Sequence, residues 1–329
     1  MDTMPDPMQP ELDVESGARS VLVAVNGRES GWQALDWAAA ECAARRSPLC
    51  IVHVINNTLL MLDPLGGGAY AWLADAPDSG ARVLDEATRR ARLVTPNVVI
   101  STRLETGFIA AGIRRASRAH ALTVIGRGRS MRLGVRSAGW RIAFRAHGPL
   151  AIVELDDERR SGPSAGRVVL GIDEAAGPPA AVAYAFRAAS RRGVGLTVIH
   201  ACALRTRIRR RKHSARFLDD MRRLVAIDEA VQAYGHAFPN VDVRRRFVTG
   251  PAGAALVAES DGAALLVIGG HSPRRLDSRL TAVARTALRC ARSPVAIIRT
   301  PEPARLVRAI DGSRDHVADR SSLGTAPDV

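Results

Sequence analysis

The chain has 329 residues, 47% of them apolar but only 4% aromatic, and a formal net charge of +14. Its length allows two domains that each bury a core, and the shortage of aromatics calls for cores of Ala, Val, Leu and Ile, as in helices packed on a parallel sheet. No apolar run approaches the roughly 20 residues of a membrane span. The acidic start MDTMPDPMQPELDVESG lacks the basic-then-apolar pattern of a secretion signal, so a disordered leader over 1–18 and a cytoplasmic location are expected.

In chain order, SVLVAV (Ser20 to Val25) is a short apolar run ended by Asn26-Gly27, the pattern of a buried strand and a turn. Trp32, Leu35, Ala39 and Cys42 recur at helical spacing, and Ser47-Pro48 stops that helix. LCIVHVI (Leu49 to Ile55) is the second strand. Asn56 to Ser79, with Pro64, Gly66, Gly67, Gly68 and Pro77, is expected to be a long loop before a helix over Ala81 to Leu93. The first half is completed by VVISTRL (Val98 to Leu104), a helix from Phe108 to about Arg118, LTVIG (Leu122 to Gly126), an Arg- and Gly-rich loop, a helix to Ala146 and PLAIVEL.

The same order then recurs as RVVLGI, a helix over Pro178 to Arg192, LTVIHA, a helix within Ala215 to Phe238, VDVRRRFV, a helix over Pro251 to Ser260, LLVIG, a helix over Thr281 to Arg292 and PVAIIR. Asn26 falls on Asp173 and His53 on His200 at one offset of 147 residues. Farther on, Thr106-Gly107 matches Thr249-Gly250, Gly126 matches Gly269 and Pro149 matches Pro294, at offsets of 143 to 145. A period this long fits two tandem domains, 19–155 and 167–299, with a polar linker at 156–166 and a disordered tail at 300–329. Strict alternation of strand and helix predicts an α/β fold of two tandem five-stranded, mostly parallel sheets with helices on both faces.

Cys42, Cys50, Cys202 and Cys290 form no C-x-x-C pair and have no His at zinc-ligand spacing, so they are expected to be buried, reduced thiols. Lys212 is the only lysine, and the basic excess is densest in RTRIRRRKHSAR (Arg205 to Arg216). That segment is either a solvated loop and helix start or a surface that draws phosphates.

In an open sheet of this kind, ligands bind beyond the carboxyl ends of the strands. The candidate positions are Asn26 and Asp173 after the first strands, and His53-Val54 and His200-Ala201 at the ends of the second. Also placed there are the fourth-strand loops starting at Gly126 and Gly269, each followed by a helix whose free N–H groups can receive a phosphate. With these features in this order twice over, the chain resembles the universal stress protein family in its tandem, actinobacterial form. The resemblance implies an adenine-nucleotide-hydrolase-like or flavodoxin-like fold and a non-enzymatic regulatory or protective role in stress. It also implies that PLAIVEL and PVAIIRT meet in one chain and that chains dimerise further.

In ATP-binding members, an aspartate after strand one contacts the ribose and backbone after strand two contacts adenine. A loop of form G-x-x-G, closed farther on by G-[ST], cradles the phosphates. Carried onto this chain, Asn26 stands in place of the aspartate, Val54 at the adenine position and Gly126 at the first glycine; Arg129 replaces the second glycine, with Gly128 beside it, and Arg136-Ser137 occupy the G-[ST] place. The second half keeps Asp173, preceded on its strand by Gly171, with Ala201 at the adenine position and Gly269-Gly270 opening the loop; Ser272 replaces the second glycine and Thr281-Ala282 the G-[ST] pair. Gly126 to Pro149 spans 23 residues and Gly269 to Pro294 spans 25, both shorter than the family motif. Each lost glycine adds a Cβ where a ligand would lie, although Arg127, Arg129, Arg132, Arg136, Arg274, Arg275 and Arg279 offer side-chain charge instead. ATP is therefore expected in at least one half, the second being favoured, and no catalytic or metal residues are assigned. A nucleic-acid-associated role through Arg205 to Arg216 is the alternative.

Overall fold

Val21, Leu22 and Val23 are wholly buried, so β1 (Val21–Val25) is apolar on both faces and needs a helical layer on each. The computed structural model describes residues 20–56, 67–133, 138–154, 162–172, 179–202, 225, 228–229, 231–270 and 282–299. After β1 come α1 (Glu29–Arg45), β2 (Leu49–Ile55), α2 (Gly67–Val94), β3 (Ile100–Thr106), α3 (Ile109–Ala116), β4 (Leu122–Gly126), α4 (Arg129–Arg132), α5 (Ala138–Arg145) and β5 (Leu150–Val153). The second half supplies β6 (Val168–Ile172), α6 (Pro179–Arg192), β7 (Leu196–Cys202), β8 (Val243–Thr249), α7 (Ala252–Glu259), β9 (Leu265–Gly270), α8 (Ala282–Cys290) and β10 (Val295–Arg299).

The two separate five-stranded sheets expected from the alternation are in fact one. A single ten-stranded sheet runs β3-β2-β1-β4-β5-β10-β9-β6-β7-β8. Nine strand pairs are recorded within it, and β5 with β10 is the antiparallel one, setting Ile152 opposite Val295, Ala151 opposite Ala296 and Leu150 opposite Ile297. The reason is physical. Leu150 to Val153 and Val295 to Ile298 are all buried, so each closing strand would otherwise present an apolar edge of unmade hydrogen bonds. Pairing removes both edges at once and turns the fold into a mixed sheet. The outer edges carry charge instead: Arg103 and Glu105 on β3, and Arg244, Arg245 and Arg246 on β8.

One core crosses the joint, bringing Met131, Trp140, Ile142 and Ala143 of the first half together with Ala284, Ala287 and Leu288 of the second. On the opposite face of the sheet, α1 and α6 meet. There Glu41, 2% exposed, accepts from Arg45 Nε at 2.5 Å and also pairs with Arg192, while Arg45 Nη2 donates to the Tyr184 hydroxyl at 3.0 Å.

Helix α2 also corrects the expected loop over Asn56 to Ser79, since residues 67–79 are helical; residues 57–66 lie outside the described set. Pro77 inside a helix costs about 3 kcal/mol. Against it, Ala76, Gly80, Leu84, Ala87 and Ala91 repeat at helical spacing and are buried, and Leu84 alone contributes roughly 1.5–3 kcal/mol. The end of the expected linker is packed rather than free: Ser164 is fully buried, and a Cβ on Gly162 would lie 2.0 Å from the Asp261 carbonyl oxygen. Cys42 and Cys50 are buried as expected, but Cys290, the last residue of α8, is exposed; the side chain of Cys202 lies outside the described residues.

Candidate functional site

The carboxyl ends of β1, β2 and β4 converge in the first half. Asn26 follows β1 and is exposed, but its side chain serves its own turn: Oδ1 accepts from the Arg28 N–H at 3.1 Å, an Asx turn leading into α1. A Cβ on Gly31 would come 2.5 Å from that oxygen, so the amide is folded onto the first turn of the helix. His53 donates from Nδ1 to the Val25 carbonyl at 2.9 Å, stitching β2 to β1. This is a packing role for the histidine that the repeat placed there.

Val54 is buried, and with His53, Ile55, Asn56, Ala76, Ser79 and Gly80 it lines a cavity of about 160 Å³ between the end of β2 and α2. Pockets that enclose whole ligands run to about 300–1,000 Å³. The cavity is smaller than that range.

Gly126, at the end of β4, is glycine for a packing reason. A Cβ there would stand 1.9 Å from the Ser30 carbonyl oxygen, because the strand end abuts the backbone of the first turn of α1. Gly128 caps α4 with φ −76° and nothing within 4 Å of an added Cβ; Arg129, which begins α4, is exposed.

The residue between the two glycines is the decisive one. Arg127 is one of the arginines that offer charge to a phosphate in place of the lost glycine, yet its side chain is 3% exposed and pairs with Glu154. Its guanidinium also donates to the carbonyls of Leu288, at 3.4 Å in the last turn of α8, and of Ala291, just beyond that helix in the other half. Burial lowers its pKa, and Glu154 opposes that shift. Arg132 is drawn to the same carboxylate, with Nη2 2.6 Å from Glu154 Oε1. Met131, next in the loop, is 1% exposed in the shared core, and its carbonyl accepts from Trp140 Nε1 at 3.2 Å. The first-half loop thus builds the joint and turns a carboxylate, Glu154, toward its own arginines. A phosphate would have to displace that carboxylate.

In the second half, Gly171 lies on β6, where a Cβ would meet Leu256 Cδ1 at 2.7 Å. Ala201 on β7 pairs with Val248, Gly269 and Gly270 on β9 pair with Ile298 and Arg299, and the exposed Ala282 begins α8. Asp173, Ser272, Thr281 and, in the first half, Ser137 lie outside the described residues, as do Arg136, Arg274, Arg275, Arg279 and the Arg205 to Arg216 segment. Glu154 and Glu41 are residues that sequence reasoning missed. The repeat sets Arg127 against Gly270 and Glu41 against Ala188, so each of these charges is held by one copy alone.

A profile of the universal stress protein family matches residues 17–154 and again 165–299. The chain belongs to the universal stress protein family. Universal stress protein Rv2005c of Mycobacterium tuberculosis H37Rv is 28% identical over 289 residues, covering 85% of this chain and 96% of the relative. Universal stress protein Rv2623 of the same organism is 26% identical over 290 residues with the same coverage. Among solved structures, a universal stress protein from Archaeoglobus fulgidus DSM 4304 superposes with a TM-score of 0.65 at 16% identity, over 87% of this chain and 98% of its own, a likeness of fold.

Universal stress proteins are typically non-catalytic stress-response proteins, and this chain belongs with them. Among the described residues, no group of three or more His, Cys, Asp and Glu is placed to hold a metal ion, and no helix is long and apolar enough to cross a membrane.

Proposed function

We propose that this universal stress protein is a stress-response regulator with one nucleotide site, in which the second half binds adenine nucleotide, ATP in the first instance. The observation that carries this is the engagement of Arg127 with Glu154 and the α8 carbonyls, which commits the first-half loop to the joint. The residues of the first half do not fit a phosphate group, given Glu154 beside the loop and Met131 in the core. In the second half, retention of Asp173, the opening Gly269-Gly270 and the longer loop support a ligand there.

Calorimetric titration with ATP tests this reading. Wild type is expected to take up one nucleotide per chain, with affinity reduced at least tenfold in Asp173→Ala and unchanged in Asn26→Ala. Two sites per chain, or a loss confined to Asn26→Ala, rejects it. A salt series separates the nucleic-acid alternative, because binding built on 6–10 phosphate contacts falls by about 10³–10⁵ between 50 and 200 mM salt.

A further inference from the structure

We infer that β3 is a docking edge for a second copy of this chain, the two β3 strands pairing antiparallel about a twofold axis at Leu104. β3 ends the ten-stranded sheet, with β2 as its neighbour. Leu49 donates its N–H to the Val99 carbonyl and Gly107 donates to that of Ile55, each at 2.9 Å. Residues 99, 101, 103, 105 and 107 therefore turn their backbone groups toward β2, and the alternate residues Ile100, Thr102, Leu104 and Thr106 turn theirs outward. Thr102, Leu104 and Thr106 are exposed, which leaves that side open to another strand.

Charge selects both the occupant and the register. Arg103 and Glu105 stand two residues apart on one face of the strand and pair at 2.5 Å, with Arg115 3.1 Å from the same carboxylate. A twofold at Leu104 sets Arg103 of each copy opposite Glu105 of the other, Leu104 opposite Leu104 and Thr102 opposite Thr106. The last three are residues whose backbone groups face outward, so the register that matches the charges also closes the hydrogen bonds. Centring the axis on Arg103 or Glu105 would oppose like charges instead. Apolar surface gathers at the same edge. Of the eight large apolar residues exposed among the described residues, Leu93, Val94, Val99, Leu104 and Phe108 lie on β3 or in the stretches of chain directly flanking it, the mark of an interaction surface. The other outer edge does not fit itself. By the repeat, β8 has Arg246 for Arg103, Phe247 for Leu104 and Val248 for Glu105. A twofold at Phe247 would set Arg246 opposite Val248, with no carboxylate to receive it, and would gather Arg244, Arg245 and Arg246 of both copies along one seam. Because the twofold uses up β3 in each copy, association closes at a dimer.

The test measures the mass of the full chain by analytical ultracentrifugation at about 100 μM, where an interface of micromolar Kd is populated. Wild type is expected at twice the mass of one chain. Arg103→Glu and Glu105→Arg each set like charges opposite one another and are expected to raise the dimer Kd at least about tenfold. Mixed in equal amounts, the two variants regain the dimer, because each supplies the charge the other lacks. Should Glu105→Arg not fold, Thr102→Pro removes an outward N–H while sparing the bonds to β2, and it too is expected to abolish the dimer. Phe247→Lys, on the opposite edge, leaves the dimer intact. A monomeric wild type, a dimer that survives Arg103→Glu or Thr102→Pro, a mixture no more associated than its components, or a dimer lost in Phe247→Lys overturns the inference.

Discussion

Arg192 lies over the indole of Trp37, its guanidinium carbon 5.5 Å from the ring centroid. The repeat makes this contact twice, because Tyr184 is the counterpart of Trp37 and Arg45 of Arg192, and Arg45 lies 5.4 Å over the Tyr184 ring. Helices α1 and α6 therefore meet as the two sides of a twofold interface do, each presenting to the other what it receives. Glu41 breaks the symmetry. It sits between the two arginines where the other copy has Ala188.

Removing that carboxylate leaves Arg45 and Arg192 without their counter-charge at a joint where their side chains are 6% and 16% exposed. Breaking one side of a buried ion pair costs about 3–5 kcal/mol. Glu41→Ala is expected to lower stability by that amount in urea denaturation, although alanine is what the other copy carries at this position. The same group gives a pH dependence. Burial pushes the Glu41 carboxyl up, but Arg45 and Arg192 together outweigh it and hold it below the ordinary range. Its folded pKa is thus below its unfolded value of about 4.3, so its contribution is complete above that pH and is lost as pH falls through the folded value. Acid melting curves of wild type and Glu41→Gln should converge as the pH drops below about 4.

The two loop glycines of the first half separate packing from ligand binding. A Cβ at Gly126 strikes backbone at 1.9 Å, which no rotamer change relieves, and Gly126→Ala is expected to cost at least about 3 kcal/mol. At Gly128 the same methyl meets nothing within 4 Å, at an ordinary φ, so Gly128→Ala should stay within about 1 kcal/mol of wild type. Thermal melts of the two variants check this directly.

Thiol reactivity should follow burial. Burial is the main cause that raises the Cys42 thiol to about 12, and it raises Cys50 as well, while Cys290 is exposed. At pH 8, native protein treated with iodoacetamide should be alkylated at Cys290 well before Cys42 or Cys50, as read by peptide mass spectrometry. Equal labelling would mean that the α1 face opens readily.

Restoring glycine to the second-half loop, with Ser272→Gly and Thr281→Gly together, removes two side chains from the proposed phosphate cradle. ATP affinity is expected to rise about tenfold, or about 1.4 kcal/mol. A folded double variant that binds no better than wild type places the limitation in loop length or in the adenine-contact positions His200 and Ala201 rather than in the lost glycines.

The inner strands were legible because each is a short apolar run bounded by turn residues, and the parallel order within each half followed from the intervening helices. The first 13 residues of α2 were not, because Gly67, Gly68 and Pro77 argue locally for a loop and only the tertiary surface of β2 reverses that. Nor was the single sheet legible from alternation, which says nothing about what covers a closing strand. At the site, the close approach of Gly126 to the Ser30 backbone is a contact between distant stretches of chain that no local pattern shows. Arg127 was misjudged because its partners in α8 lie 161 and 164 residues away, a separation no local pattern encodes.

The antiparallel seam of β5 and β10 has a consequence for how such a chain can change. When two identical subunits meet along a seam, every mutation arrives in duplicate, and a buried arginine suited to one side is forced on the other. Here the two sides of the seam are separate stretches of one gene. Arg127 can reach a helix end while its counterpart Gly270 carries no side chain, and Glu41 can stand alone against Ala188. Covalent linkage has released the two sides from having to remain alike, so one can specialise in cohesion while the other stays free for a ligand.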